Sequence, residues 1–237
     1  MTDILAVLYG RVLRIAPSRP KADGRDRFIL SKGHACSALY AVLAERGFFS
    51  GKLLERYCAD GSPLAGHVTV GPPGVEFSSG SLGHGLPVAC GMALAARRDK
   101  KKYRVFVVLG DGECDEGSNW EAFLFAPQHK LDNLTVIIDR NRIQSLGSTR
   151  EVLDLEPLAG KLKAFNWSVK TVDGHNIKDL CSVLDNLPFE KGKPSCLIAD
   201  TVKGKGVSFM ENELLWHYRT PSVEELKTAI SELEASK

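Results

Sequence analysis

Two short runs of apolar, mostly β-branched residues flank a stretch with helical periodicity: YRVFVVL at 103–109, then SNWEAFLFAPQHK, then LTVIID at 134–139. No other feature constrains the fold as tightly. Strands joined through a helix run parallel, and such crossovers are right-handed. NWSVKTV and SCLIADT supply two more strands further on. The expected architecture is α/β, a central, mostly parallel sheet with helices on both faces, built as a single domain over residues 1–237.

The flanking segments fit this plan. The chain opens into TDILAVLYGRVLRI, where Ile4, Leu8, Val12 and Ile15 share one helical face, and Pro17 and Pro20 are expected to end that helix. Opening on an amphipathic helix suggests that a leader precedes it. A second helix is predicted from about His34, stopped by Gly47 in the C-cap role. Residues 60–80 are rich in glycine and proline and read as one long loop, a kind that is usually functional inside a compact domain. LGHGLPVACGMALAARR follows as a helix whose small residues permit close approach. Pro127 should kink or shorten the middle helix, because an interior proline costs roughly 3 kcal/mol. Ser222 and Glu225 form an S-x-x-E capping box ahead of a last helix, 222–235.

Charge excludes some partners. With 31 Lys and Arg against 29 Asp and Glu, the net charge of +2 gives no electrostatic footprint for nucleic acid. No stretch is long and apolar enough to cross a bilayer or to resemble a signal peptide, so no membrane is expected. The six cysteines are scattered without a C-x-x-C pair, which argues against zinc and for reduced thiols in a cytoplasmic setting.

VLGDGECDEG at 108–117 poses the chemical question. A glycine-rich turn after a strand usually cradles phosphate, yet this one carries Asp111, Glu113, Asp115 and Glu116. It is neither a G-x-G-x-x-G loop nor a G-K-[ST] loop. Asp111 stands just past the end of one strand and Asn141 just past the next, thirty residues on. Ligands of parallel sheets sit beyond the carboxyl ends of the strands, so the two side chains should meet there. A carboxylate and an amide oxygen suit Mg²⁺ or Ca²⁺, and Mg²⁺ commonly shares its shell with phosphate oxygens. A cation between them would let the acidic turn hold a phosphate. The bland alternative for GDG is a tight turn.

Four stretches, in the same order and over nearly the whole chain, carry a family resemblance: DRFILSKGHACSALYAVLAERG, GVEFSSGSLGHGLPVACGMA, VLGDGECDEGSNWEAFLFAPQHKLDNLTVIIDRNRIQ and TVKGKGVSFMENELLWH. They resemble the cofactor-binding half of transketolase, a thiamine diphosphate enzyme. The resemblance implies that Asp111, Asn141 and the carbonyl of Ile143 bind Mg²⁺, with Gly112 offering its N–H to the diphosphate. It sets His34 against the diphosphate, and Gly80, Ser81 and Leu82 along the thiamine. Glu116 matches an acid near a dimer interface that communicates with the pyrimidine end. His67 would lie beside the reacting carbon, and Lys203 and His217 toward the diphosphate and the reaction centre. His84 stands where many relatives have glutamine. His129 and His175 match nothing catalytic and read as surface or capping residues.

The resemblance implies transfer of a two-carbon unit from a ketose phosphate to an aldose phosphate, with His67 and His217 handling protons. Two departures accompany it. The family's first histidine lies in a G-H-x-G motif upstream of the opening helix, ahead of residue 1 here. The activating glutamate belongs to a pyrimidine-binding domain that this chain lacks. The expectation is therefore the N-terminal subunit of a split transketolase, working with a C-terminal subunit in a heterotetramer. The alternatives are a split 2-oxo acid dehydrogenase or 1-deoxyxylulose-5-phosphate synthase type, a non-catalytic cofactor-binding module, or a relative that has lost the cofactor.

Overall fold

The computed structural model describes residues 1–235. Among them lie β1 (Arg27–Leu30), β2 (Val105–Gly110), β3 (Leu134–Arg140), β4 (Ile143–Gln144), β5 (Gly147–Ser148), β6 (Ser168–Asp173) and β7 (Ser195–Asp200). Five of these form one parallel sheet in the order β1-β2-β3-β7-β6, while β4 and β5 pair as a small antiparallel hairpin. β1 is a strand that the sequence pattern did not single out. Its four residues are too short to show a period, and it is fixed by pairing Leu30 with Val108.

Helices cover both faces of the sheet, as expected. α1 (Thr2–Val7), α2 (Cys36–Glu45) and α7 (Ile177–Leu184) pack Ile4, Leu39, Leu43 and Leu180 against Phe28, Phe106, Ile137 and Leu197. α3 (Gly85–Arg98), α4 (Gly117–Gln128) and, after the one-turn α5 (Thr149–Val152), α6 (Leu158–Ala164) pack Leu86, Phe123 and Leu162 against the other face, on Val105, Val107, Val136 and Ile198. Alternate residues of one strand thus feed opposite cores. That is why the central strands read as unbroken apolar runs. Each such side chain contributes about 1.5–3 kcal/mol by leaving water.

Three local expectations need comment. The opening helix does not run to the prolines. It passes into a π turn over Leu8–Val12 and stops at Leu13, whose N–H donates to the Leu8 carbonyl, leaving Ile15 outside the helix. Pro127 is the second-last residue of α4, so no interior turn is broken. Its ring cannot donate to the Phe123 carbonyl, and the indole N–H of Trp167 does so instead at 2.8 Å. The capping box is formed: Ser222 N–H donates to Glu225 at 2.8 Å and Glu225 N–H to Ser222 Oγ at 3.2 Å, opening α8 (Val223–Ala235).

The register brings the carboxyl ends of the strands to one rim. Gly110 pairs with Asp139, and Arg140 with Asp200. Lys32, Asp111, Asn141 and Thr201 therefore emerge side by side, above the two cores.

Candidate active site

A cavity of about 610 Å³ opens at this rim, lined by Lys32, His34, Leu82, Asp111, Gly112, Asn141, Ile143, Lys203 and His217. That volume suits a cofactor-sized ligand. Sequence reasoning named all of these but Lys32. Four other expected residues, His67, Gly80, Ser81 and Glu116, lie outside the lining. His67 is exposed and packs beside Gly80, Ser81 is exposed, and so is Glu116 at the N-cap of α4.

Asp111 is 3% exposed. Its carboxylate accepts the N–H of Gly112 at 2.9 Å and of Arg142 at 2.6 Å. The second bond joins the turn after β2 to the turn after β3, the meeting that the thirty-residue spacing implied. Burial raises the Asp111 carboxyl above its usual range, despite these two N–H groups and Lys32. Asn141 turns back on itself, its Oδ1 accepting Ile143 N–H at 3.0 Å. Two arginines hold this turn. Arg140 grips Asp200 with two bonds of 2.8 Å, and Arg142 reaches the same carboxylate at 2.8 Å.

The donors present fit a hard cation. Among the described residues no three His, Cys, Asp or Glu side chains gather as a metal site. A buried carboxylate and an amide side chain share a single rim with Ile143. An oxygen-preferring ion completed by a ligand's phosphate suits that set.

Gly112 is required for a reason other than phosphate approach: a Cβ there would come within 2.7 Å of the Gln144 Cβ. Its glycine therefore lets β4 close over the turn.

In the wall of the cavity lies a buried ion pair that sequence reasoning missed. Lys32 Nζ is 2.8 Å from Asp139 Oδ2, and the Thr201 hydroxyl donates to Asp139 Oδ1 at 2.6 Å. Burial opposes both charges, but Lys32 and Asp139 hold one another ionised, the lysine raised and the aspartate lowered. The two residues come from different strand ends, and nothing in the local sequence marks them as partners.

Three cavity groups are shifted toward neutrality. Burial, then Lys32, His217 and Lys203, push the His34 imidazole down to about 3. Burial followed by Lys203 and Lys32 lowers His217. Lys203 is lowered by burial and by Lys32. The His34 and His217 rings lie 5.1 Å apart, and Lys203 Nζ approaches His217 Nδ1 to 3.2 Å.

His175, expected to be a surface or capping residue, lines the cavity. Its Nδ1 is 2.8 Å from Asp3, and its Nε2 accepts the N–H of Val202 at 2.9 Å, next to Lys203. A backbone N–H can only donate, so Nε2 is the unprotonated nitrogen.

Residues 1–232 match the profile of the family described as the transketolase thiamine diphosphate binding domain. The chain belongs to the transketolase family. It is 43% identical over 231 residues to an apulose-4-phosphate transketolase subunit from Phocaeicola vulgatus, covering 98% of this chain and 82% of that one. A 6-deoxy-6-sulfo-D-fructose transketolase subunit from Clostridium sp. is 42% identical over 233 residues, covering 98% and 85%. Among solved transketolases, that of Campylobacter jejuni superposes with a TM-score of 0.91 at 30% identity, over 98% of this chain but 38% of its own. The chain thus has nearly the extent of the transketolase subunits it resembles, and about two fifths of the single-chain enzyme.

Proposed function

We propose that the chain is the diphosphate-binding subunit of a transketolase divided between two polypeptides, working with a pyrimidine-binding partner in a heterotetramer. The convergence of Asp111 and the Asn141 turn on one cavity carries this reading, and the subunit-sized relatives support it. Asp111, Asn141 and the Ile143 carbonyl would hold Mg²⁺. Gly112, whose N–H is here held by Asp111, would face the diphosphate with His34 and Lys203, and Gly80, Ser81 and Leu82 the thiazolium. Glu116, exposed on the outer surface, would meet the partner and so reach the pyrimidine end.

Bound thiamine diphosphate supplies the carbon nucleophile and electron sink for moving a two-carbon unit from a ketose to an aldose. The chain's own residues orient and manage protons. Lys203, as an ammonium, donates to His217 Nδ1, so the remaining proton of the neutral ring sits on Nε2, ready for a substrate hydroxyl. His67 would serve a second hydroxyl from the loop side. Two relatives are named for ketoses with an anionic group, a phosphate in one and a sulfonate in the other. The same substrate class, an anionic ketose in the cytoplasm, is proposed here.

The test is reconstitution. With Mg²⁺, thiamine diphosphate and the partner chain, two-carbon transfer is expected, and sedimentation should give a two-plus-two assembly. Full transfer by this chain alone would refute the divided enzyme.

A further inference from the structure

Glu113 is the acid of the GDGE turn that no metal or proton role uses. It is 2% exposed and receives three donors. The Ser31 hydroxyl and the Gly83 N–H, at 3.0 Å, both donate to Oε1, and the Gly110 N–H donates to Oε2 at 3.2 Å. Ser31 is itself buried, and its Oγ accepts the Gly85 N–H at 3.1 Å. The Glu113 carbonyl is held in turn by the Asn119 amide at 2.7 Å.

These donors come from three separate pieces of chain. Ser31 directly follows β1, Gly83 next to Leu82 precedes α3 and Gly85 opens it, and Gly110 ends β2 beside Asp111. Leu82 and Asp111 both line one cavity. We infer that Glu113 is a positioning residue that clasps the Leu82 wall to the Asp111 turn, fixing the spacing between the thiazolium and diphosphate ends of the cofactor. The inference rests on the proposed thiamine diphosphate site.

An ionised carboxylate is the group this geometry needs. It accepts all three donors at once, whereas an amide would turn N–H₂ toward at least one of them. Burial works against that charge and raises the Glu113 carboxyl, while Ser31, the two backbone N–H groups and Lys32 favour the ionised form. Nothing here touches substrate. The effect is one of distance between two binding walls.

The two ends can be separated by probe. Calorimetry on the full chain with its partner polypeptide would use Mg²⁺ with thiamine diphosphate, and Mg²⁺ with pyrophosphate alone. Ser31→Ala loosens the Leu82 side but leaves the Gly110 bond. It should weaken thiamine diphosphate by about fivefold or more and pyrophosphate by less than about twofold. Glu113→Gln should weaken both by roughly tenfold. The double variant should be no worse than Glu113→Gln, because both act through one carboxylate. Ser31→Ala changing both probes equally, or neither, would overturn the clasp, as would additive effects in the double variant. Wild-type protein that bound neither probe would instead sink the cofactor site itself.

Discussion

Lys203 and His217 meet head-on at the cavity, nitrogen to nitrogen at 3.2 Å. An ammonium this close to an imidazole keeps a proton off the ring, and Lys32 below reinforces the effect. The ring is therefore kept neutral, as the proposed proton-handling role of His217 requires.

Replacing Lys203 with Met should raise the His217 pKa toward its ordinary value, by removing a facing positive charge. Imidazole ¹⁵N titration would follow it. The sign for stability is set by linkage. A histidine lowered in the folded state leaves the unfolded chain binding more protons below about pH 6.5, so stability falls as pH drops through that range. His34, pushed down to about 3, adds to this loss, and Lys203→Met should lessen the share due to His217.

Asp111→Asn should weaken Mg²⁺-dependent binding of thiamine diphosphate by about 1.5–3 kcal/mol, roughly ten- to 150-fold. Calorimetry reads this directly. Because the free carboxyl is raised by burial, wild-type affinity should decline as the medium is acidified, with protons released on binding. Asp111→Asn should lose that pH dependence.

Asp26 anchors the start of β1 from a fully buried position. It accepts the Arg14 and Arg104 backbone N–H groups at 3.0 and 2.9 Å, and both guanidinium groups at 2.8 and 2.6 Å. Burial alone would raise this carboxyl, but the two arginines bring it below its usual range. Asp26→Ala should cost about 1.5–3 kcal/mol in denaturant unfolding, since it takes a charged acceptor from two backbone N–H groups and from two arginines that water still reaches. The contribution of a lowered carboxyl is complete above the unfolded value and is lost as pH falls through the folded one.

Gly204 has φ of +74° and lies against the Met210 carbonyl, with no room for a Cβ. Gly204→Ala should displace Lys203, lowering both Tm and affinity for thiamine diphosphate. Unchanged binding would show that the Lys203 side chain reaches its place independently of this turn.

The sheet was legible because its central strands are buried on both faces and are separated by one crossover helix. Asp111 and Asn141 were legible because both stand directly at strand ends, where chain spacing becomes spatial proximity. Lys32, Glu113 and Asp139 were not. Each is an ordinary charge in its own segment, and its role exists only where two or three strand ends meet. The place of His175 at the cavity is hidden for the same cause: its partners, Asp3 and Val202, are 172 and 27 residues away. The opening helix stopped early because its last turn widened, which side-chain spacing does not record.

The stretch between residues 60 and 80 has neither helix nor strand, yet it is fastened around His67 and at Ser79. Val68 N–H reaches the Gly33 carbonyl, Ser79 N–H reaches Val68, Ser79 Oγ reaches Leu30, and the Tyr40 phenol holds the His67 carbonyl. The loss of chain freedom needed to set the His67 backbone in place is therefore met when this polypeptide folds. A sugar bound in the proposed role would find that arm's backbone already held, and its binding energy would be left for discrimination rather than for ordering the receptor.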